Sequence, residues 1–203
     1  MSSLILDSIY FYYPDLKVLR GCYLAVPSGK IICLIGRNGS GKSTLFKIAS
    51  GQLQADSGIT SIAENRLHKK SKADRFKHLS YLSQKPFLPK SLKVKQVIDQ
   101  DLNSQDEFLK NILETKIKDL STGERRYIEV LFALSLKRKF ILLDEPFTGV
   151  SPVLIEKVIG KILQAAKRGA GILISDHYMR YIHELGDEFH LLENGQIKRL
   201  DQN

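Results

Sequence analysis

Ile31-Ile32-Cys33-Leu34-Ile35, running directly into Gly36-Arg37-Asn38-Gly39-Ser40-Gly41-Lys42-Ser43-Thr44, is the stretch that decides the fold. The apolar run is far too short to cross a membrane and suits a strand buried on both faces of a parallel sheet. The eight residues from Gly36 to Ser43 fit G-x-x-x-x-G-K-[ST] at every position. That spacing has a physical cause. Glycines let the backbone wrap a phosphate with successive N–H groups pointing inward, and a helix opening near Lys42 adds its positive end. Lys42 would reach the β- and γ-phosphates, and the Ser43 hydroxyl would help hold Mg²⁺. The strand before the loop and the helix after it argue against a chance glycine turn.

Phosphoryl chemistry needs a second anchor for the metal and a group to orient water. Phe140-Ile141-Leu142-Leu143-Asp144-Glu145 supplies both, 102 residues beyond Lys42: four apolar residues, then two carboxylates at a strand's C-terminal end. Ligands of open α/β sheets collect there. Asp144 is the candidate metal ligand and Glu145 the candidate water-orienting group. A solvated acidic pair closing a strand is the plainer alternative.

Working outward, strands are expected at Leu4 to Tyr13, Val18 to Val26, Ile59 to Ala63, Leu79 to Leu82 and Gly171 to Ser175. A hairpin is expected across Asn194-Gly195. Residues 91–117 read as mostly helical. Ser121-Thr122-Gly123-Glu124 has capping-box spacing ahead of the periodic Tyr127, Leu131 and Leu134. Ser151-Pro152 suits the N-cap and N1 of a helix with the stripe Ile155, Ile159, Ile162 and Ala166. Another helix is expected from about His177 to Leu185. Alternating strands and helices give an α/β fold with a mostly parallel sheet, more purely β at its start.

Composition limits the class. The chain has 203 residues, 43% hydrophobic and 26% charged, which is one ordinary globular domain. The N-terminus lacks a basic region and a small-residue cleavage site, so no signal peptide is expected. Cys22 and Cys33 lie in apolar segments and read as buried free thiols of a reducing compartment. Residues 66–95 hold ten Lys/Arg and one acid, Asp74, the whole of the +9 net charge. Such a stretch could meet anionic headgroups or an acidic partner; a solvated face is the plainer reading.

Further elements, in their order and spacing, resemble the ATP-binding cassette (ABC) ATPases. Tyr13 stands where that family places an aromatic on adenine. Ile9 and Phe11 share its strand face and Tyr10 and Tyr12 the other, so core packing and the neighbouring tyrosines stay open as alternatives. Gln84 resembles the glutamine that contacts Mg²⁺ or its water. Leu120-Ser121-Thr122-Gly123-Glu124 looks like the family signature, a capped helix start aimed at the γ-phosphate of a nucleotide held by a second copy. His177, 32 residues after Glu145, resembles the switch histidine. The strings around Asp144–Val150 and Leu173–His177 look most like the ATPase subunits of lipopolysaccharide export and branched-chain amino-acid uptake.

The resemblance implies a P-loop NTPase with an N-terminal antiparallel β subdomain and a small helical subdomain at about 86–137, all within one nucleotide-binding domain, 1–203. It implies ATP and Mg²⁺, with catalytic roles for Glu145, His177, Lys42 and Gln84. Nucleotide contacts would come from Tyr13, Gly36, Asn38, Gly39, Ser40, Gly41, Lys42, Ser43 and Thr44, with Ser121 and Gly123 of another copy. Ser43, Gln84 and Asp144 would serve the metal. The expected partners are a second cassette, the same or homologous, joined head to tail, and integral membrane transporter subunits; no nucleic acid is expected. The expected location is the cytoplasmic face of a membrane, as a peripheral subunit. Two departures stand out: Ser151 replaces a common Asp before Pro152, and Thr122 a common glycine. A soluble ABC ATPase, such as the iron-sulfur cluster assembly type, is the alternative function.

Overall fold

The computed structural model describes residues 2–14, 16–63, 65–67, 72–98 and 106–201. In chain order the strands are β1 (Ser3–Tyr13), β2 (Leu16–Pro27), β3 (Ile31–Ile35), β4 (Ser57–Ile62), β5 (Asn65–Arg66), β6 (Leu79–Leu82), β7 (Phe140–Asp144), β8 (Gly171–Ser175), β9 (Glu188–Glu193) and β10 (Gln196–Leu200). The α-helices are α1 (Lys42–Ser50), α2 (Lys72–Phe76), α3 (Glu107–Ile112), α4 (Thr122–Ser135), α5 (Pro152–Lys167) and α6 (Met179–Leu185).

The central sheet has the order β10-β9-β3-β8-β7-β6, parallel throughout except for the β9–β10 hairpin. All of β7 and β8, and four of the five residues of β3, are buried, which explains their unbroken apolar sequences. Successive side chains divide between two cores. Ile31, Cys33, Ile141, Leu143, Ile172 and Ile174 face α4, α5 and α6. Ile32, Leu34, Phe140, Leu142 and Leu173 face α1 and the second sheet. That second sheet is antiparallel, with order β2-β1-β4-β5. Within β1 the buried positions change from Leu4 and Leu6 to Ile9 and Phe11. A bulge absorbs the extra residue, with Ser8 at φ 51°.

Within 91–117, the described part is less helical than its sequence suggests. Among the described residues it holds short 3₁₀ turns at Val94–Gln96 and Ile117–Asp119 and the six-residue α3; 99–105 lie outside the described residues. Val94, Ile98, Leu109 and Ile117 are each buried, but from separate turns rather than along one helical stripe. The helix after His177 starts at Met179, and Ser151 sits at the N-cap of α5 without a side-chain cap.

A buried three-way tie fixes this segment to the core. Asp106 caps α3 through the Phe108 N–H, accepts from the Tyr127 hydroxyl at 2.6 Å and pairs with Lys157 of α5 at 2.5 Å. Burial pushes the Asp106 carboxyl up, yet the bonds from Lys157 and Tyr127 outweigh it and hold the group below the ordinary aspartate range. A carboxyl that titrates lower when folded contributes stability fully above its unfolded pKa and loses it as pH falls through the folded value. Tyr127→Phe should therefore cost about 1.5–3 kcal/mol at neutral pH, the worth of a hydrogen bond to a charged group. Urea unfolding at neutral and acid pH checks this: the deficit should shrink in acid.

Candidate functional site

In-register pairing brings the candidate residues together. Leu82 lies opposite Leu143, Leu143 opposite Ile174, and Ile174 opposite Cys33. Two residues further along each strand come Gln84, Glu145, Asp176 and Ile35, on one edge of the sheet. The phosphate loop leaves the same edge after Ile35.

A cleft of about 590 Å³ opens there, lined by Tyr13, Leu16, Val18, Asn38, Gly39, Gly41 to Thr44, Gln84, Glu145, Thr148 and His177. The loop is held open by its glycines. Gly39 and Gly41 have φ of 79° and 106°, and a Cβ on Gly41 would meet Val18 at 2.9 Å. A Cβ on Gly36 would strike the Leu192 carbonyl at 2.5 Å. Lys42 folds back over its own loop, donating to the carbonyls of Gly36 at 2.7 Å and Arg37 at 3.1 Å. Burial lowers its pKa, against the charges of Glu145 and Asp144, which raise it.

The two carboxylates diverge. Asp144 is 1% exposed; Tyr81 donates to its Oδ2 at 3.3 Å, and its Oδ1 is buried without a hydrogen-bond partner. Burial pushes its carboxyl up, opposed by the hydroxyls of Ser43 and Tyr81 and the charge of Arg126, while Glu145 pushes it further up. Glu145 faces the cleft from a backbone at φ 56°, a conformation disfavoured for a non-glycine residue. Its Oε1 lies 2.8 Å from Gln84 Nε2 and 2.9 Å from His177 Nε2. Gln84 Nε2 also donates to Ser43 Oγ at 3.0 Å. One chain of polar contacts thus joins Ser43, Gln84, Glu145 and His177. Since a carboxylate only accepts, the histidine proton in this contact sits on Nε2.

Tyr13 borders the cleft and is half exposed, whereas Ile9 and Phe11 on the same strand are buried. Its ring and that of Phe11 form a T-shaped pair with centroids 5.0 Å apart. Tyr10 and Tyr12 do not line the cleft.

Ser121 and Gly123 are not brought to this cleft. They line a separate recess of about 330 Å³ with Glu124, Gly149 and Ser151. The capping box forms: Ser121 Oγ accepts from the Glu124 N–H and the Glu124 carboxylate from the Ser121 N–H. Gly123 is also constrained by its own chain, because a Cβ there would run into the Gly149 carbonyl and Val150.

Three positioning groups escaped the sequence reading. Asp176, buried between Ser175 and His177, accepts from the N–H groups of Phe147, His177 and Tyr178 and so sets the histidine loop. Arg126 and Glu129 pair beneath Gln84 and Glu145. The only available signal was an i, i+3 charge pair beside the stripe of α4. The basic stretch is less bare than its composition suggests. Lys77 pairs with Asp74, and Lys93 and Lys95 share Glu114, whose carboxyl their hydrogen bonds lower to about 2. Lys69, Lys70 and the side chains of Arg66 and Lys72 lie outside the described residues. Both cysteines are buried and free, with Cys33 pushed up to about 12 by burial, which makes it a poor nucleophile.

A family model described as ABC transporter matches residues 19–148. The chain belongs to the ABC transporter ATPases. It is an ATP-binding, ATP-hydrolysing cassette. It is 32% identical to the lipopolysaccharide export system ATP-binding protein LptB of Haemophilus influenzae, across 97% of this chain and 89% of that protein. It is 27% identical to a probable branched-chain amino acid transport ATP-binding protein, LivG, of Methanocaldococcus jannaschii, across 97% and 88%. A nucleotide-free ATP-binding cassette from an ABC transporter superposes with a TM-score of 0.86 at 25% identity, over all of this chain and 92% of that one. The ADP conformation of another such cassette gives 0.79 at 26%, over 98% and 90%. No helix among the described residues is long and apolar enough to cross a membrane.

The Gly123 contact generates a test. Gly123→Ala should destabilise the nucleotide-free cassette by about 1–3 kcal/mol, the usual cost of overpacking, seen as a lower melting temperature. An unchanged melting temperature would mean that this glycine answers only to ligand.

Proposed function

We propose that this cassette hydrolyses ATP in a site completed by a second cassette, at the cytoplasmic face of a membrane, to drive separate transporter subunits. The observation that carries this reading is the division of the motifs: the phosphate loop, Glu145 and His177 share one cleft, while Ser121 and Gly123 line another recess.

In this reading adenine stacks on the half-exposed ring of Tyr13. The phosphates lie in the loop from Gly36 to Thr44, against the backbone of Asn38, Gly39, Ser40 and Gly41. Lys42 exchanges its two carbonyl acceptors for phosphate oxygens. The residues present fit a magnesium ion: Ser43 offers a hydroxyl, Gln84 an amide, and the unpartnered buried Oδ1 of Asp144 lacks only a cation. Bound there, the ion would neutralise charge on the β- and γ-phosphates.

Glu145 accepts a hydrogen bond from the attacking water, in place of Gln84 or His177, and aims its oxygen at the γ-phosphorus. His177 reaches the same position from the neighbouring strand end and bonds the γ-phosphate. Ser121 and Gly123 of the second copy close over that phosphate with the N-terminus of α4. ATP therefore favours a closed head-to-tail pair and ADP releases it. The membrane subunits would dock near Gln84 and the helical subdomain, about residues 86–137.

Two substitutions test the site in the isolated chain. Lys42→Ala should weaken ATP binding at least about 30-fold, the cost of removing a charge-assisted partner, as read by titration with a fluorescent ATP analogue. Glu145→Gln should leave that affinity intact and slow hydrolysis about 100-fold or more, the scale of a lost general base. Hydrolysis at the parental rate would contradict the role given to Glu145.

A further inference from the structure

Arg126 and Glu129, one turn apart on α4, form an ion pair that no nucleotide contact explains. They are 6% and 1% exposed, and Nη1 and Oε2 stand 3.4 Å apart. Burying two ions is repaid only when their remaining hydrogen-bonding groups are also satisfied. Here the satisfaction comes from the backbone of the site itself. Arg126 Nη1 donates to the Ser83 carbonyl at 2.7 Å. Its Nη2 donates to the carbonyls of Asp144 and Glu145, and its Nε to Glu145 again at 3.2 Å. Glu129 Oε1 accepts from the Phe87 N–H at 3.1 Å.

A single planar guanidinium therefore fixes three carbonyls at the ends of two neighbouring strands relative to one another. Lysine, with one nitrogen, cannot reproduce that fork. Two consequences follow from the geometry. The Glu145 backbone, at φ 56°, is gripped at its carbonyl by Arg126 and at its N–H by Ser175. This grip keeps a disfavoured conformation in place and points the carboxylate into the cleft. Segment 83–87 is held at both ends by the same pair, through Ser83 and Phe87. The pair thus ties segment 83–87 to the carbonyl of Glu145.

We propose that the buried Arg126–Glu129 pair is a positioning clamp: it sets the Glu145 backbone for hydrolysis, leaving ATP affinity to the phosphate loop. This rests on the reading of Glu145 as the water-orienting group. Arg126 does not line the cleft, so it acts through Glu145 and not on the nucleotide.

The test uses the full chain, steady-state hydrolysis and titration with a fluorescent ATP analogue. Phe87→Pro removes the N–H that Glu129 holds, and Phe87→Ala removes the ring but keeps that N–H. Arg126→Lys keeps the charge and loses the fork. Phe87→Pro and Arg126→Lys should lower kcat about tenfold with analogue affinity within about twofold, the signature of a lost transition-state interaction. Phe87→Ala should retain a kcat about tenfold above Phe87→Pro. Phe87→Pro lies in an exposed loop, so it decides the matter even if Arg126→Lys fails to fold. Parental kcat in Phe87→Pro, or losses of kcat and affinity that fall together with the melting temperature, would overturn the clamp. Glu145→Gln separates the two ideas. A slow Glu145→Gln beside an unaffected Phe87→Pro overturns the clamp alone, whereas a parental-rate Glu145→Gln overturns the reading of Glu145 itself.

Discussion

The in-register parallel pairing of β6, β7, β8 and β3 is the constraint on which the site depends. Parallel strands lie about 4.8 Å apart and end on one edge. Once Leu82, Leu143, Ile174 and Cys33 are level, the residues just beyond them must share that edge. Gln84, Glu145 and His177 then meet the phosphate loop without long, flexible supports. A slip of one residue would turn Leu143 and Ile174 toward the opposite core and carry the carboxylates away from the loop. The two apolar cores on either face of the sheet therefore hold the catalytic register as well as the fold.

The site is under local tension that this frame can bear. Glu145 occupies a left-handed backbone, Asp144 keeps an unpartnered buried oxygen, and Lys42 donates to its own loop. In the proposed reading, phosphate and a cation would take up the Lys42 ammonium and the Asp144 oxygen. Asp176 and Arg126 supply the rigid support, because both bind backbone groups rather than ligand. On the other recess the capped start of α4 packs so closely on Gly149 that residue 123 has room only for hydrogen.

What was legible in the sequence was local in the chain. The strand, the glycine loop and the helix after it are consecutive, as are Leu143, Asp144 and Glu145, so their chemistry and placement could be read together. The burial of β3 on both faces followed from its unbroken apolar run. Relations across the chain were hidden. Arg126 reads as one of two arginines in a polar helix start, and nothing local reveals that Ser83 and Glu145 supply its acceptors. Asp106 lies 21 residues from Tyr127 and 51 from Lys157, so the tie between them is invisible without the fold. Glu114 lies 19 residues beyond the basic stretch and yet pairs with two of its lysines. Among the described residues of 91–117 the apolar residues implied mostly helix, but tertiary packing buries them from short 3₁₀ turns and the six-residue α3.

The central claim is that one chain holds half of each hydrolytic site and that ATP joins two halves through the start of α4. The most direct measurement is the solution mass of Glu145→Gln with saturating ATP and Mg²⁺, by light scattering, alone and with Ser121→Arg added. The account predicts that ATP doubles the mass of Glu145→Gln, that ADP does not, and that Ser121→Arg restores the single-chain mass. A single-chain mass at saturating ATP, or a doubled mass indifferent to Ser121→Arg, would contradict it.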